Sequence, residues 1–236
     1  MKPARFWMLA LALLACAGTA RLGFWQLDRA QQKLDLQAAA DAALALPPLG
    51  ASELPLAQAP HRRVRLRGHW LSAHTVWLDN RPMDGRAGFY VVTPLRLSET
   101  GRVLLVQRGW APRDPYDRQR LPTLRTPSDE VAVEGQLVDG PSRLYDLGSA
   151  GSGAIRQNLD IAAFGREAGI ELLPYTVVQT DPATDDGLLR HWPAPDVGLH
   201  KHYGYAFQWF ALCALIACLY VWFQLLRPRF RARHAD

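Results

Sequence analysis

From Ala206 to Leu226 the chain runs for 21 residues without a charged side chain. At about 1.5 Å of rise per residue this makes roughly 31 Å of helix, the thickness of a bilayer's hydrocarbon core. Tyr203, Tyr205 and Trp209 stand at one end, where amphipathic rings favour the headgroup layer. Arg227, Arg229, Arg231 and Arg233 stand at the other, where positive charge stays cytoplasmic, and Pro228 stops the helix just past the membrane. The pattern predicts a transmembrane helix over 203–226 that enters from outside, followed by a basic cytoplasmic tail over 227–236. An ionisable group, His202, and a polar one, Gln208, lie at its outer mouth.

The formal net charge of +5 invites a nucleic-acid reading until the charges are located. Residues 25–202 hold 20 Lys+Arg against 21 Asp+Glu, so the basic excess sits wholly in the membrane flanks. It reports topology, not affinity for phosphate, and no nucleic-acid partner is expected. The three cysteines, Cys16, Cys213 and Cys218, all lie in apolar runs. The region between those runs therefore has no disulfide, no thiol redox centre and no thiolate metal site.

Residues 1–25 predict a first membrane segment: a basic start, then Phe6 to Ala20 without charge. Three readings are open. A cleaved signal peptide would use Gly18-Thr-Ala20, a lipoprotein signal would use Leu13-Leu-Ala-Cys16, and a retained anchor would place Trp25 at the outer interface. The apolar run passes into a helical pattern without a break, which favours the retained anchor. Ala12, Cys16 and Ala20 form a stripe of small residues expected to pack against Ala211, Ala214 and Cys218.

Residues 26–60 read as a polar extension of that helix, ended by Pro47-Pro48, and then a Pro/Ala-rich connector. From His61 the apolar period changes to two, with Val64 and Leu66 alternating with Arg63, Arg65 and Arg67. Strands are expected over 61–70, 75–78, 89–97, 103–110, 131–138 and 172–179. One short helix is expected over 160–169, capped by Asp160 and stopped by Gly169. Gly148 to Gly153 reads as a flexible loop, and 181–197 as an acidic, Pro-containing return. The fold class is a membrane protein: two transmembrane helices flank one β-rich (α+β) extracytoplasmic domain over 61–202, an antiparallel barrel or sandwich.

Motifs for catalysis are missing. Gly151-Ser152-Gly153 lies in a polar loop rather than a nucleophile elbow, and there is no Cys-x-x-Cys and no phosphate loop. Asp185-Asp186 reads as a solvated acidic pair. His200 and His202 with His191 and Asp196 match no compact zinc spacing, and Met83 is the only soft copper ligand in the middle region. The chain is not expected to be an enzyme.

Five segments in order carry a resemblance: Leu22-Gly-Phe-Trp-Gln-Leu-Asp-Arg29 with Lys33, Val64–Gly68, Gly88-Phe-Tyr-Val-Val-Thr-Pro94, Val103–Pro112 around Arg108-Gly-Trp, and His202-Tyr-Gly-Tyr-Ala-Phe-Gln-Trp209. Together they resemble the Surfeit locus 1 family, assembly factors of cytochrome c oxidase. The resemblance implies an integral protein of the bacterial cell inner membrane, both termini cytoplasmic and the central domain periplasmic. It implies a chaperone of respiratory-chain biogenesis that binds haem a, or protects the haem site, while the oxidase matures. The implied partners are cytochrome c oxidase subunit I, haem a synthase and membrane lipid. The implied haem-iron ligand is a histidine at the outer end of the second helix, matched by His202.

The residues themselves admit that chemistry. On a helix His202, Tyr205 and Trp209 share a face, and neutral imidazole is the usual haem-iron ligand. Arg29, Arg21 and Lys201 are cations expected at the depth of the propionates. His202, Tyr205, Trp209 and Arg29 are thus the candidate haem-binding residues. Two bland readings stand beside this one: the His and aromatics as interfacial belt residues, and Arg29 as a brace between first helix and domain. A haem-free scaffold that holds the nascent oxidase subunit is the rival function.

Overall fold

The structure is a computed structural model that describes residues 3–54, 60–117, 119–144, 153–181, 185–193 and 198–227. The glycine loop before Gly153, Asp196, and the tail with Pro228, Arg229, Arg231 and Arg233 lie outside the described residues. The two long terminal helices form one compact unit and Ala39–Ala194 another.

The first unit is a helical hairpin. Helix α1 spans Pro3–Ala45, one uninterrupted helix across the apolar segment and its polar extension. Its partner, α3, spans Leu199–Tyr220 and runs on as a π-helix over Val221–Leu226. Both are long and apolar enough to cross a membrane. They pack antiparallel, as the contacts show: Gln224 Nε2 donates to Met8 Sδ, the Cys16 and Cys213 thiols each donate to the other's carbonyl at 3.5 Å, and Phe24 meets Phe210 edge-on at 5.2 Å. The small-residue stripe of α1 is on the covered face, but its expected partners are not. Ala211, Ala214 and Cys218 are exposed, and α3 turns Ala206, Phe210 and Cys213 inward instead. The reason is phase: at 100° per residue Ala211 lies a half-turn from His202, whereas Ala206 and Cys213 lie within about 40° of it.

The second unit is a closed sheet. Its strands are β1 (Arg63–Trp70), β2 (Val76–Leu78), β3 (Gly88–Leu97), β4 (Val103–Pro112), β5 (Val131–Val138), β6 (Ile155–Arg156) and β7 (Leu172–Gln179), with helix α2 (Ile161–Ala168) between the last two. The order is β1-β5-β7-β4-β3, and β3 pairs back with β1 to close a five-stranded barrel, with β2 and β6 continuing from β3. The expected antiparallel pattern fails at one place, since β4 and β7 are parallel. A ring of five strands cannot alternate direction all the way round, so at least one pair must be parallel. The short β6 also pairs parallel, with β2.

Alternation sorts two cores. Leu95, Leu97, Leu104 and Val106 join Leu66, Val133 and Val177 in one cluster, while Tyr90, Val92 and Leu105 join Trp110 and Phe164 in another. β3 and β4 therefore read as near-continuous apolar runs because both of their faces are covered. The connector contributes as well: Leu49, Ala51 and Leu54 are buried in the first cluster, and the Tyr175 hydroxyl donates to the Leu54 carbonyl. Helix α2 has the expected ends. The Asp160 side chain accepts from Ala163 N, and Gly169 adopts φ 67°.

Gly68 is the corner of the barrel. It is the residue at which β1 leaves β5 (partner Val131) for β3 (partner Leu97). A Cβ there would stand 2.3 Å from the Arg96 carbonyl oxygen. Gly68→Ala is expected to destabilise the barrel by about 1–3 kcal/mol through forced backbone movement. Denaturant unfolding of the full chain in detergent measures it.

Candidate functional site

The helical hairpin gathers the motif residues of α1 and α3. Along α1 the covered face passes through Thr19, Gly23 and Ala30, and Gln26 shares it. Gly23 is where Phe210 enters: a Cβ on residue 23 would be 2.7 Å from the Phe210 ring. One turn further, Nδ1 of His202 lies 2.7 Å from Oε1 of Gln26. Both side chains are half-buried, and His202 Nε2 has no other partner among the described residues. An imidazole is thus held by one nitrogen between two membrane-length helices, with the other nitrogen uncommitted. That is the state in which imidazole can accept a metal or a proton.

The four candidates are only partly brought together. Trp209 lies near His202 in helical phase and is half-buried. Tyr205 points away from the hairpin contact and is 53% exposed. Arg29 is exposed and engaged by its own helix: it donates to Gln32 Oε1 at 3.1 Å and lies 5.6 Å from the Trp25 ring centroid. Arg21 and Lys201 are exposed and make no side-chain ion pair among the described residues. His191, weighed for zinc, is bonded through Nδ1 to Asp84 at 3.1 Å.

Gln26 and Gly23 belong to the α1 motif, but sequence reading gave neither a role toward His202. The partner lies 176 positions away. No local signal carries such a pairing; two polar residues at matching depths in two apolar helices were the available hint.

The barrel holds a second cluster of charge. The β3–β4 register shifts between Val91 and Val92, which face Gly109 and Gln107, so Arg108 is the extra residue of a bulge. Its side chain is 1% exposed. Nη1 donates to Thr126 Oγ1 at 2.7 Å, Nη2 donates to the Arg125 carbonyl at 3.0 Å, and the guanidinium stacks 4.7 Å from the Trp70 ring. Asp186 accepts from Arg108 at 3.4 Å and from Arg190 at 2.7 Å. Asp186 is therefore not the solvated half of an acidic pair. It is 5% exposed because it neutralises two buried guanidinium groups, while its neighbour Asp185 stays in water opposite Arg125. Burial lowers the pKa of Arg108 and the Asp186 carboxylate opposes that shift. Arg81, in the turn after β2, is also buried, donating to the Ser142 and Gln157 carbonyls.

The chain is similar to known proteins. The SURF1-like protein of Rickettsia bellii is 26% identical over 207 residues, which cover 84% of this chain and 83% of that protein. Surfeit locus protein 1 of Rattus norvegicus is 28% identical over 232 residues, 86% of this chain and 70% of that one. The cytochrome oxidase assembly protein SHY1 of Saccharomyces cerevisiae is 30% identical over 135 residues, 53% of this chain and 34% of that one. The model of the SURF1 family matches residues 13–214, from within α1, through the whole barrel, to the turn of α3 that carries Cys213. With the whole sheet and most of both flanking helices inside that match, the chain belongs to the SURF1 family.

Proposed function

We propose that this chain is a membrane-anchored assembly factor for cytochrome c oxidase, not an enzyme, and that it binds haem a through His202. The observation that carries the reading is the His202–Gln26 bond of 2.7 Å, which orients an imidazole between the two membrane-length helices and leaves a ring nitrogen uncommitted. Ligating histidines characteristically donate their second ring N–H in this way. His202 would hold the iron of a bound haem a through that nitrogen. Trp209, adjacent on the helix face, would offer an aromatic wall. Tyr205, exposed, would lie at the rim. Arg21 and Lys201 suit the propionates better than Arg29, whose guanidinium is already held by Trp25 and Gln32.

The yeast relative is named for oxidase assembly, and oxidase subunit I and haem a synthase are the partners this reading assigns to the chain. Arg227 at the end of α3, stacked 5.5 Å over Phe223, supports a cytoplasmic C-terminus and hence an extracytoplasmic barrel in a bacterial inner membrane. The test is an absorption spectrum of the full chain, purified in detergent from cells that make haem a. A haem a spectrum at near-stoichiometric occupancy is expected. A colourless protein that still co-purifies subunit I would replace this reading with a haem-free scaffold.

A further inference from the structure

A carboxamide oxygen accepts hydrogen bonds and cannot donate them, so the proton in the Gln26–His202 bond belongs to Nδ1 of the imidazole. The lone pair of the neutral ring is then on Nε2. We propose that Gln26 is the positioning residue of His202: it selects the Nδ1–H tautomer, fixes the ring plane and so makes Nε2 the ligating atom. The part of this concerning iron rests on the haem reading above. The part concerning the tautomer does not.

The surroundings are built for it. Gln26 lies three residues beyond Gly23 on the covered stripe of α1, and His202 lies eight residues before Phe210 on α3. The Phe210 ring occupies the space that a side chain at position 23 would fill, and it is held there edge-on by Phe24, with an interplanar angle of 77°. That close approach brings the helices within reach of a glutamine side chain. Ala206, a small residue 2% exposed, is buried on the same side of α3. In a half-buried slot between helices a carboxamide competes well with water for the imidazole proton, whereas on an open surface the tautomer would be left to solvent. Where such a partner holds a ligating histidine, its loss characteristically weakens metal affinity about 10–100-fold.

The experiment uses the full chain in nanodiscs, free of haem, with isotopically labelled histidine nitrogens. The His202 signals are assigned by their disappearance in His202→Ala. The expected result is a protonated, pyrrole-type Nδ1 and an unprotonated, pyridine-type Nε2 in the wild type. Gln26→Glu, which keeps the acceptor, should preserve that pattern. Gln26→Met, which fills the same space without an acceptor, should return His202 to the mixture of a free imidazole. After haem a is added, Gln26→Met should bind about 10–100-fold more weakly. Gln26→Glu should bind and show a lower reduction potential, since an anionic acceptor makes the ligand more electron-rich. An Nε2–H tautomer in the wild type would overturn the proposal, because the amide would then be donating to Nδ1. An unchanged Gln26→Met spectrum would overturn it as well. Should Gln26→Met fail to accumulate, the wild type and Gln26→Glu still decide the tautomer. If no variant binds haem while the tautomer is as stated, the haem reading falls and the positioning role stands.

Discussion

His202→Ala should yield a chain that inserts and folds yet loses its haem a absorption. Two magnitudes separate these effects. The substitution removes one interhelical hydrogen bond, a net loss of about 1 kcal/mol. The hairpin keeps its Cys16–Cys213 contacts, the Phe24–Phe210 pair and the close approach at Gly23. Haem a, by contrast, would lose the one residue among those described that is proposed to hold its iron. Absorption spectra of the two purified proteins, compared at equal protein and with thermal unfolding as a control, make the measurement. An unchanged spectrum would move the ligand off His202. Loss of both spectrum and unfolding transition would show that His202 serves the hairpin itself.

The largest effect on stability is expected at Asp186. Asp186→Ala removes the carboxylate shared by Arg108 and Arg190, whose side chains are 1% and 7% exposed. Removing one partner of a buried ionic group costs about 3–5 kcal/mol, because charge remains in a low-dielectric site. The immediate neighbour provides the control. Asp185 pairs with Arg125 at 2.7 Å, but their side chains are 94% and 71% exposed, so Asp185→Ala should change stability by no more than about 0.5 kcal/mol. Denaturant titration of both variants tests the contrast. Equal effects would mean that the Asp186 cluster is solvated in the working protein. Arg108→Met in the Asp186→Ala background should recover part of the loss, since it removes one of the two buried guanidinium groups that the carboxylate neutralised.

This cluster also shows where local reading stops. Asp185-Asp186, seen as two adjacent acids in a turn-rich stretch, carries no sign that the second acid is buried. Its fate depends on a bulge at Arg108, 78 positions earlier, that swings a guanidinium inward. A bulge is a property of two strands in register, and no single strand's pattern encodes it. Likewise the Ala/Pro-rich connector looks like a spacer, yet Leu49, Ala51 and Leu54 fill part of the barrel core.

Elsewhere local chemistry was enough. Alternating Val64 and Leu66 against three arginines marks β1, and the apolar runs of β3 and β4 mark strands buried on both faces. Asp160 and Gly169 mark the ends of α2. The uncharged stretches before Arg21 and after Lys201 mark the two membrane-length helices. Each is a short-range consequence of side-chain period, capping or hydropathy, so the sequence by itself determined the elements and the class of fold. Only the tertiary structure decided that β3 returns to β1, that β4 runs parallel to β7, and that Gln26 meets His202. These are choices among partners far apart in the chain. They are settled by ring closure and helix phase, which exist only once the elements are packed together.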